Sequence, residues 1–449
     1  MSMSILFLIL YFTTLAIITW ASSRRKIVGE YINGGKNLSA FESTWTTFAS
    51  LLTGYNFVLG VTFSYLYGFW YLMAFVGAGL AFVILYIFYT KHLVLLQKDH
   101  NLFSIGDYFG IKYGHLSKVF VNLILCGGLL LFLVLQIFIN TGLFSALLKI
   151  DNILALLLTT GVVCIYLWVG GFKASVKTDI FQGILMLPII LLIFIFPTHF
   201  SSEKIASAFD PSQFWFAIGL ALLQFFSLLG QAESFQRVFA SRNPNSLKRG
   251  LIIAFILLAI IAGSIAYLGI NFKFANTTAD PSNLFTKDIL MALPEWLSSL
   301  VIVSLIAAFM GTIDSSAFAL GILIARMRKT TKQNIIQSTR IFTLLGIIIS
   351  ALGSLYLFSF LSSVFALISL ISVIGAALFV SLLLKPNSLE INLFLIVGTV
   401  TFVLGLIFKF VTDNPLTSLI PSGIAIITLL IIRIYKLLNN KYLFKKNLY

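Results

Sequence analysis

Apolar residues run through this chain in thirteen stretches of roughly span length, separated by short polar connections. The stretches are Ile5 to Trp20, Glu42 to Tyr65, Phe69 to Tyr89, Val119 to Leu148, Ile153 to Gly170, Asp179 to Phe196, Phe214 to Phe239, Gly250 to Phe272, Trp296 to Ala325, Ile341 to Phe358, Leu361 to Leu384, Asn392 to Phe408 and Leu416 to Ile434. Every face of these runs is apolar, so periodicity does not separate helix from strand. Length does: about 20 residues cross a bilayer as a helix, and these runs are too long for barrel strands. The pattern predicts an all-α integral membrane protein of about thirteen helices. Two stretches break the pattern. The second carries Thr53-Gly54-Tyr55-Asn56 with Gly60 beyond, and the seventh carries Gln224, then Ser227 to Glu233 with Gly230 and Gln231. Interrupted helices at matching places in two halves mark the central site of a transporter, because unwinding frees carbonyl and amide groups for an ion and a polar solute.

Composition excludes a water-soluble domain: 59% of residues are hydrophobic, 10% are charged, and the mean hydropathy is +1.03. Charge gives orientation. With the first span entering from outside, the inner connections hold 25 of the 30 basic residues, and the outer ones keep only Lys149, Lys204, Lys273, Lys287 and Lys409. This bias predicts an external N-terminus and a cytosolic C-terminus. It also accounts for the net charge of +15, which is dispersed among short loops and so does not point to nucleic acid. Arg24-Arg25-Lys26 follows the first stretch rather than preceding it, so that stretch reads as a retained anchor and not a cleaved signal. Cys126 and Cys164 read as small core residues, and the four histidines show no metal-ligand spacing.

Apart from Glu42 at the mouth of the second stretch, only three of the fifteen acidic residues, Asp179, Glu233 and Asp314, fall inside apolar stretches. A carboxylate in a bilayer is costly, so each is a candidate functional group, with a buried structural ion pair as the bland alternative. Thr178-Asp179 opens one span, and Ala307 to Ser316 lies within another.

Several blocks, in order, resemble the sodium:solute symporter family: Glu30 to Ser39 before the second span, Ile105-Gly106-Asp107-Tyr108-Phe109 with Tyr113-Gly114, Gly170 to Ala174 followed by Lys177 to Gly183, and Gln236-Arg237 followed by Arg249-Gly250. The resemblance implies the inverted five-plus-five fold of the leucine-type transporters, formed by spans two to six (42–196) and seven to eleven (214–384). Segments 1–41 and 392–449 then add one span before and two after, within a single transmembrane domain. It also implies sodium-coupled symport by alternating access at the plasma membrane, a bacterial inner membrane by preference, with no obligate protein partner. Carried over by position, one sodium would lie on the carbonyls of Ala49, Leu52 and Ala308 and the hydroxyl of Thr312. Ala308, Gly311 and Thr312 share a helical face, as such a site requires.

Gly311 departs from the family, which usually offers a serine hydroxyl there. Asp314 lies about 60° round the helix from it, in the sector where sialic acid symporters of the family place a further sodium. Asp179, Asp314 and Ser315 are therefore expected to form an acidic cation site, or to share one proton, against the rival that Asp314 is tethered to Arg237 or Lys177. The resemblance also points to Thr53, Tyr55, Asn56, Gln224, Ser227, Leu228 and Gln231 as the solute site. Thr53-Gly54-Tyr55 resembles the Ser-Gly-aromatic of the family's proline carriers, but Gln224 and Leu228 stand where those carriers have aromatics, and Ser227 and Leu228 stand where its sugar carriers have Tyr and Trp. Hydroxyls, amides and one aromatic suit a small polar organic solute such as an amino acid or sugar. Proton coupling on the same fold, a lipid-linked transferase and a receptor on a transporter body are the alternatives. No outer loop carries the catalytic constellation a transferase needs.

Overall fold

The computed structural model describes residues 3–23, 31–32, 34–89, 93–94, 96, 100, 102–275, 284–328, 334–356 and 360–446. The long helices are α1 (Met3–Ser23), α2 (Ala40–Leu51), α3 (Gly54–Tyr67), α4 (Met73–Ile84), α5 (Ile105–Tyr113), α6 (His115–Leu148), α7 (Asn152–Gly170), α8 (Phe172–Met186), α9 (Phe214–Gly230), α10 (Ala232–Ala240), α11 (Pro244–Ala275), α12 (Glu295–Met327), α13 (Ile335–Ser354), α14 (Phe360–Leu383), α15 (Ser388–Ile407) and α16 (Ile420–Lys446). Extended pairing among the described residues is confined to one bridge between Leu38 and Ser241.

Both interruptions read from the sequence are real breaks. In the second span the helical ladder stops where the Leu52 amide donates to the Phe48 carbonyl (2.9 Å), and α3 restarts at Gly54 after an extended Thr53. The Asn56 side chain reaches back to the Leu51 carbonyl at 2.8 Å, satisfying one acceptor that the break exposes. In the seventh span, extended Gln231 separates α9 from α10.

Twelve helices among the described residues are long and apolar enough to cross a bilayer. The broken second span escapes that count because α2 is short and polar and α3 runs on into α4. Contacts with α11 show that α3 and α4 are nevertheless separate crossings. Ser43 packs on Gly250 and Val61 on Gly269, whereas Phe82 packs on Phe255 and Lys248 lies over Tyr86. The chain therefore ascends along α11 and then descends it. The reversal falls at Gly68, whose φ of 59° lies in the left-handed region and whose missing Cβ lets the Ala208 backbone approach.

The sixth span begins earlier than expected. Gly171 (φ 76°) starts α8 at Phe172, so Lys177, Thr178 and Asp179 lie one to two turns inside the helix rather than at its mouth. Pro188 lacks an amide donor, and the helix continues from Leu187 to Phe194 as tighter 3-10 turns.

Connections rich in basic residues gather at one end of the bundle. Leu38 bonds to the Ala240 carbonyl and accepts from the Arg242 amide, at 3.1 and 3.2 Å. Tyr31 packs over Gly171, and Lys112 donates to Ser381 at 2.9 Å. Asp107, which caps α5, pairs with Lys118 at 2.7 Å and Arg326 at 3.7 Å. At the opposite end Lys204 reaches the Phe274 carbonyl and Lys273 the Leu66 carbonyl.

Candidate cation and solute site

Helix α12 carries a polar segment, Thr312 to Ser316, in the interior, and almost all of its middle is buried. Thr312 is 1% exposed, which removes any lipid-facing reading of that side chain. Its hydroxyl donates to the Ala308 and Phe309 carbonyls at 3.1 and 2.9 Å. With its proton directed into its own helix, the oxygen keeps lone pairs for a ligand. The break in the second span lies against this segment, because the Phe309 ring fills the space that Gly54 leaves open. Ala49, Leu52, Ala308 and Thr312 are all buried there. The carbonyls at the end of α2 have passed the last helical donor and are the natural partners of a hard cation.

The three acids meet in one buried region. Asp314 accepts hydrogen bonds from Thr178 (3.3 Å), Ser315 (3.3 Å) and Ser175 (3.5 Å). Glu233, in the first turn of α10, accepts from Ser316 at 2.5 Å. Arg237 donates to the Glu233 carbonyl at 2.8 Å and pairs with Asp179 at 3.5 Å. The tether considered for Asp314 is thus absent among the described residues: the nearest ion pair of Arg237 is with Asp179, and hydroxyls hold Asp314. Asp179 Oδ1 has no hydrogen-bond partner. A small cavity bounded by Thr46, Ser175, Asp179, Arg237 and Ser315 adjoins it.

Six of the seven residues expected at the solute site line one cavity of about 130 Å³: Thr53, Asn56, Gln224, Ser227, Leu228 and Gln231. The side chain of the seventh, Tyr55, lies outside the described residues. Asn56 has one amide hydrogen committed to the break, so it presents a partly used side chain. The opposite wall is aromatic, from Phe63, Tyr71, Phe75, Phe82, Phe255 and Phe365. None of these was singled out from the sequence. With 44 phenylalanines in the chain, a ring facing a cavity looks the same as one facing lipid.

The cavity continues toward the basic end. A neighbouring space shares Ser227, Gln231 and Ile368 with it, and a third, of about 240 Å³, shares Leu125, Leu129 and Ala232 with that neighbour and reaches Asp107, Lys118 and Arg326. At the other end aromatic rings close over the centre: Tyr67 stacks on Phe216 at 4.0 Å, and Phe63 packs on Phe216 and Phe365.

A helical membrane protein with two broken spans facing one cavity that has a polar edge and an aromatic wall has the build of a secondary transporter. The chain belongs to the sodium:solute symporter family, which matches residues 31–385. It is 28% identical over 313 residues to a sodium/pantothenate symporter of Haemophilus influenzae, covering 64% of this chain and 63% of that protein. It is 27% identical over 245 residues to a high-affinity proline transporter of Bacillus subtilis, covering 49% of this chain and 50% of the other. The matched stretches therefore span less than two thirds of either relative. Over 95% of this chain and 96% of the other, the fold superposes on a Na+-coupled sialic acid symporter solved in a substrate-bound outward-open state, with a TM-score of 0.75 at 20% identity.

Proposed function

We propose that this chain couples the inward movement of sodium to uptake of a small polar organic solute by alternating access. The observation that carries the reading is that both helix breaks, at Leu52–Thr53 and at Gln231, line one cavity, with the Phe309 ring of α12 set against Gly54 at the first break. Among the described residues, Asp179, Glu233 and Asp314 are buried together with one buried guanidinium, Arg237, whose ion pair is with Asp179, so the region has room for added positive charge. We assign Ala49, Leu52, Ala308 and Thr312 to one sodium, and Asp179, Asp314 and Ser315 to a second cation position. Gln224, Ser227, Gln231 and Thr53 would hold the polar edge of the solute against the aromatic wall. None of the residues lining the cavity is basic, which suits a neutral or zwitterionic solute better than a simple anion. The same reading puts the protein in a bacterial cytoplasmic membrane. Proton coupling is the second reading, favoured by the surplus of buried carboxylate.

The test is uptake into proteoliposomes of labelled proline, pantothenate and a panel of small sugars and amino acids, under an inward sodium gradient, an inward proton gradient or neither. Sodium-driven accumulation of one solute, with counterflow in the absence of a gradient, is the expected result. Accumulation driven only by protons supports the second reading, and recovery of a chemically altered solute would overturn both.

A further inference from the structure

Gly311 stands where the family usually offers a serine hydroxyl, but the space beside it is filled. A Cβ at position 311 would lie 2.6 Å from Oε1 of Gln182 and 3.8 Å from Oδ1 of Asp179. Both oxygens are buried, on residues 0% and 1% exposed, and neither has a hydrogen-bond partner. Two unpartnered acceptors converging on one point inside a membrane protein call for a donor or a cation. The other end of the Gln182 amide is already committed, since Nε2 donates to the Tyr11 hydroxyl at 3.0 Å, which aims the oxygen inward. The C=O of an amide is a hard neutral ligand of the kind sodium takes.

We infer that Gln182 Oε1 is a cation ligand in this chain, occupying the place a serine hydroxyl at 311 would otherwise serve, and that Gly311 is the residue that admits it. The inference rests on the sodium reading above and deepens it. The amide oxygen would bridge the two assigned positions, between Thr312 on one side and Asp179 on the other. Glycine and glutamine then act as a pair. A side chain at 311 pushes the amide away, and loss of the amide leaves a hole beside the glycine.

Thermal unfolding of the purified full chain, titrated with sodium chloride against choline chloride at fixed ionic strength, reads binding without transport. Gln182→Leu is expected to raise the half-maximal sodium concentration by about tenfold, the loss of one ion–dipole contact. Adding Gly311→Ser to Gln182→Leu should bring it back to within a few-fold of the wild type, because the hydroxyl then has both space and a role. A merely structural glutamine would not be rescued by a serine at 311. Gln182→Glu keeps an oxygen at the position and should still bind sodium, with a lower half-maximal concentration. If Gln182→Leu does not fold, an unchanged response in Gln182→Glu overturns the inference. Thr312→Ala separates the two levels: if it abolishes the sodium response while Gln182→Leu and Gln182→Glu leave it unchanged, the cation site stands and Gln182 is not part of it. If the wild type shows no sodium-dependent shift, both the site and the inference fall.

Discussion

Arg237 and Asp179 meet at 3.5 Å with their side chains 5% and 2% exposed, a long contact for a charge pair so far from water. Arg237 spends its shorter hydrogen bond, 2.8 Å, on the Glu233 carbonyl. The guanidinium therefore tethers α10 to itself and leaves Asp179 incompletely satisfied, which is the condition a transiently bound cation would exploit. Removing Arg237 would leave Asp179 buried without its ion-pair partner. Arg237→Leu is expected to destabilise the protein by about 3–5 kcal/mol, the usual cost of breaking a buried pair from one side. Part of that loss should return at high sodium. Unfolding midpoints measured at low and high sodium check both halves of the expectation.

Asp314→Asn preserves shape and removes one charge from a carboxylate held by three hydroxyls. Uptake by this variant should change its dependence on sodium or on pH while the protein still folds. Initial rates measured across sodium and pH series decide it, and unchanged dependence on both would remove Asp314 from the coupling site.

The path from Gln231 to Asp107 predicts access from the basic end. A cysteine at Ala319 or Gln236, both lining the wider part of the path, should react with a membrane-impermeant thiol reagent added from the cytosolic side, in a background lacking Cys126 and Cys164. Sodium with a transported solute should slow that reaction several-fold by shifting the population toward states closed to the inside.

Gly375 lets the α14 backbone approach the Phe226 carbonyl of α9, close to the second break. A Cβ there meets backbone, which cannot swing aside. Gly375→Val is expected to lower stability by about 1–3 kcal/mol or more, as overpacking does. It should also reduce uptake more than it reduces the amount of folded protein. Size-exclusion yield compared with the transport rate separates the two effects.

Weakening the aromatic closure should act in the opposite sense to sodium depletion. Replacing Phe216 by Ala removes the ring stacked on Tyr67 at 4.0 Å. An aromatic pair contributes about 0.5–1.5 kcal/mol beyond its buried area, enough to move a two-state balance several-fold toward outward opening. The rate of modification at an internal cysteine should fall accordingly.

The breaks at Thr53 and Gln231 were legible because polar residues and glycine stand out in an apolar run, and Asp179, Glu233 and Asp314 for the same reason. Position within a helix was harder to read. Lys177 and Asp179 looked like the start of a span because charge usually marks a membrane surface, whereas Gly171 begins the helix two turns earlier. The aromatic wall left no trace in a chain so rich in phenylalanine. Gly311 read as a missing oxygen, because sequence spacing along one helix says nothing about which neighbour fills the gap. Gln182, on another helix and held by Tyr11 of a third, supplies an oxygen to that space only in three dimensions.

The paired hydrogen bonds of Leu38 with Ala240 and Arg242 have a mechanical meaning. They fasten the lead-in of α2 to the tail of α10, so the lower halves of both interrupted spans share one strap. A tilt imposed on either half-helix is passed to the other as a torque, and cutting the strap would let each half swing on its own clock.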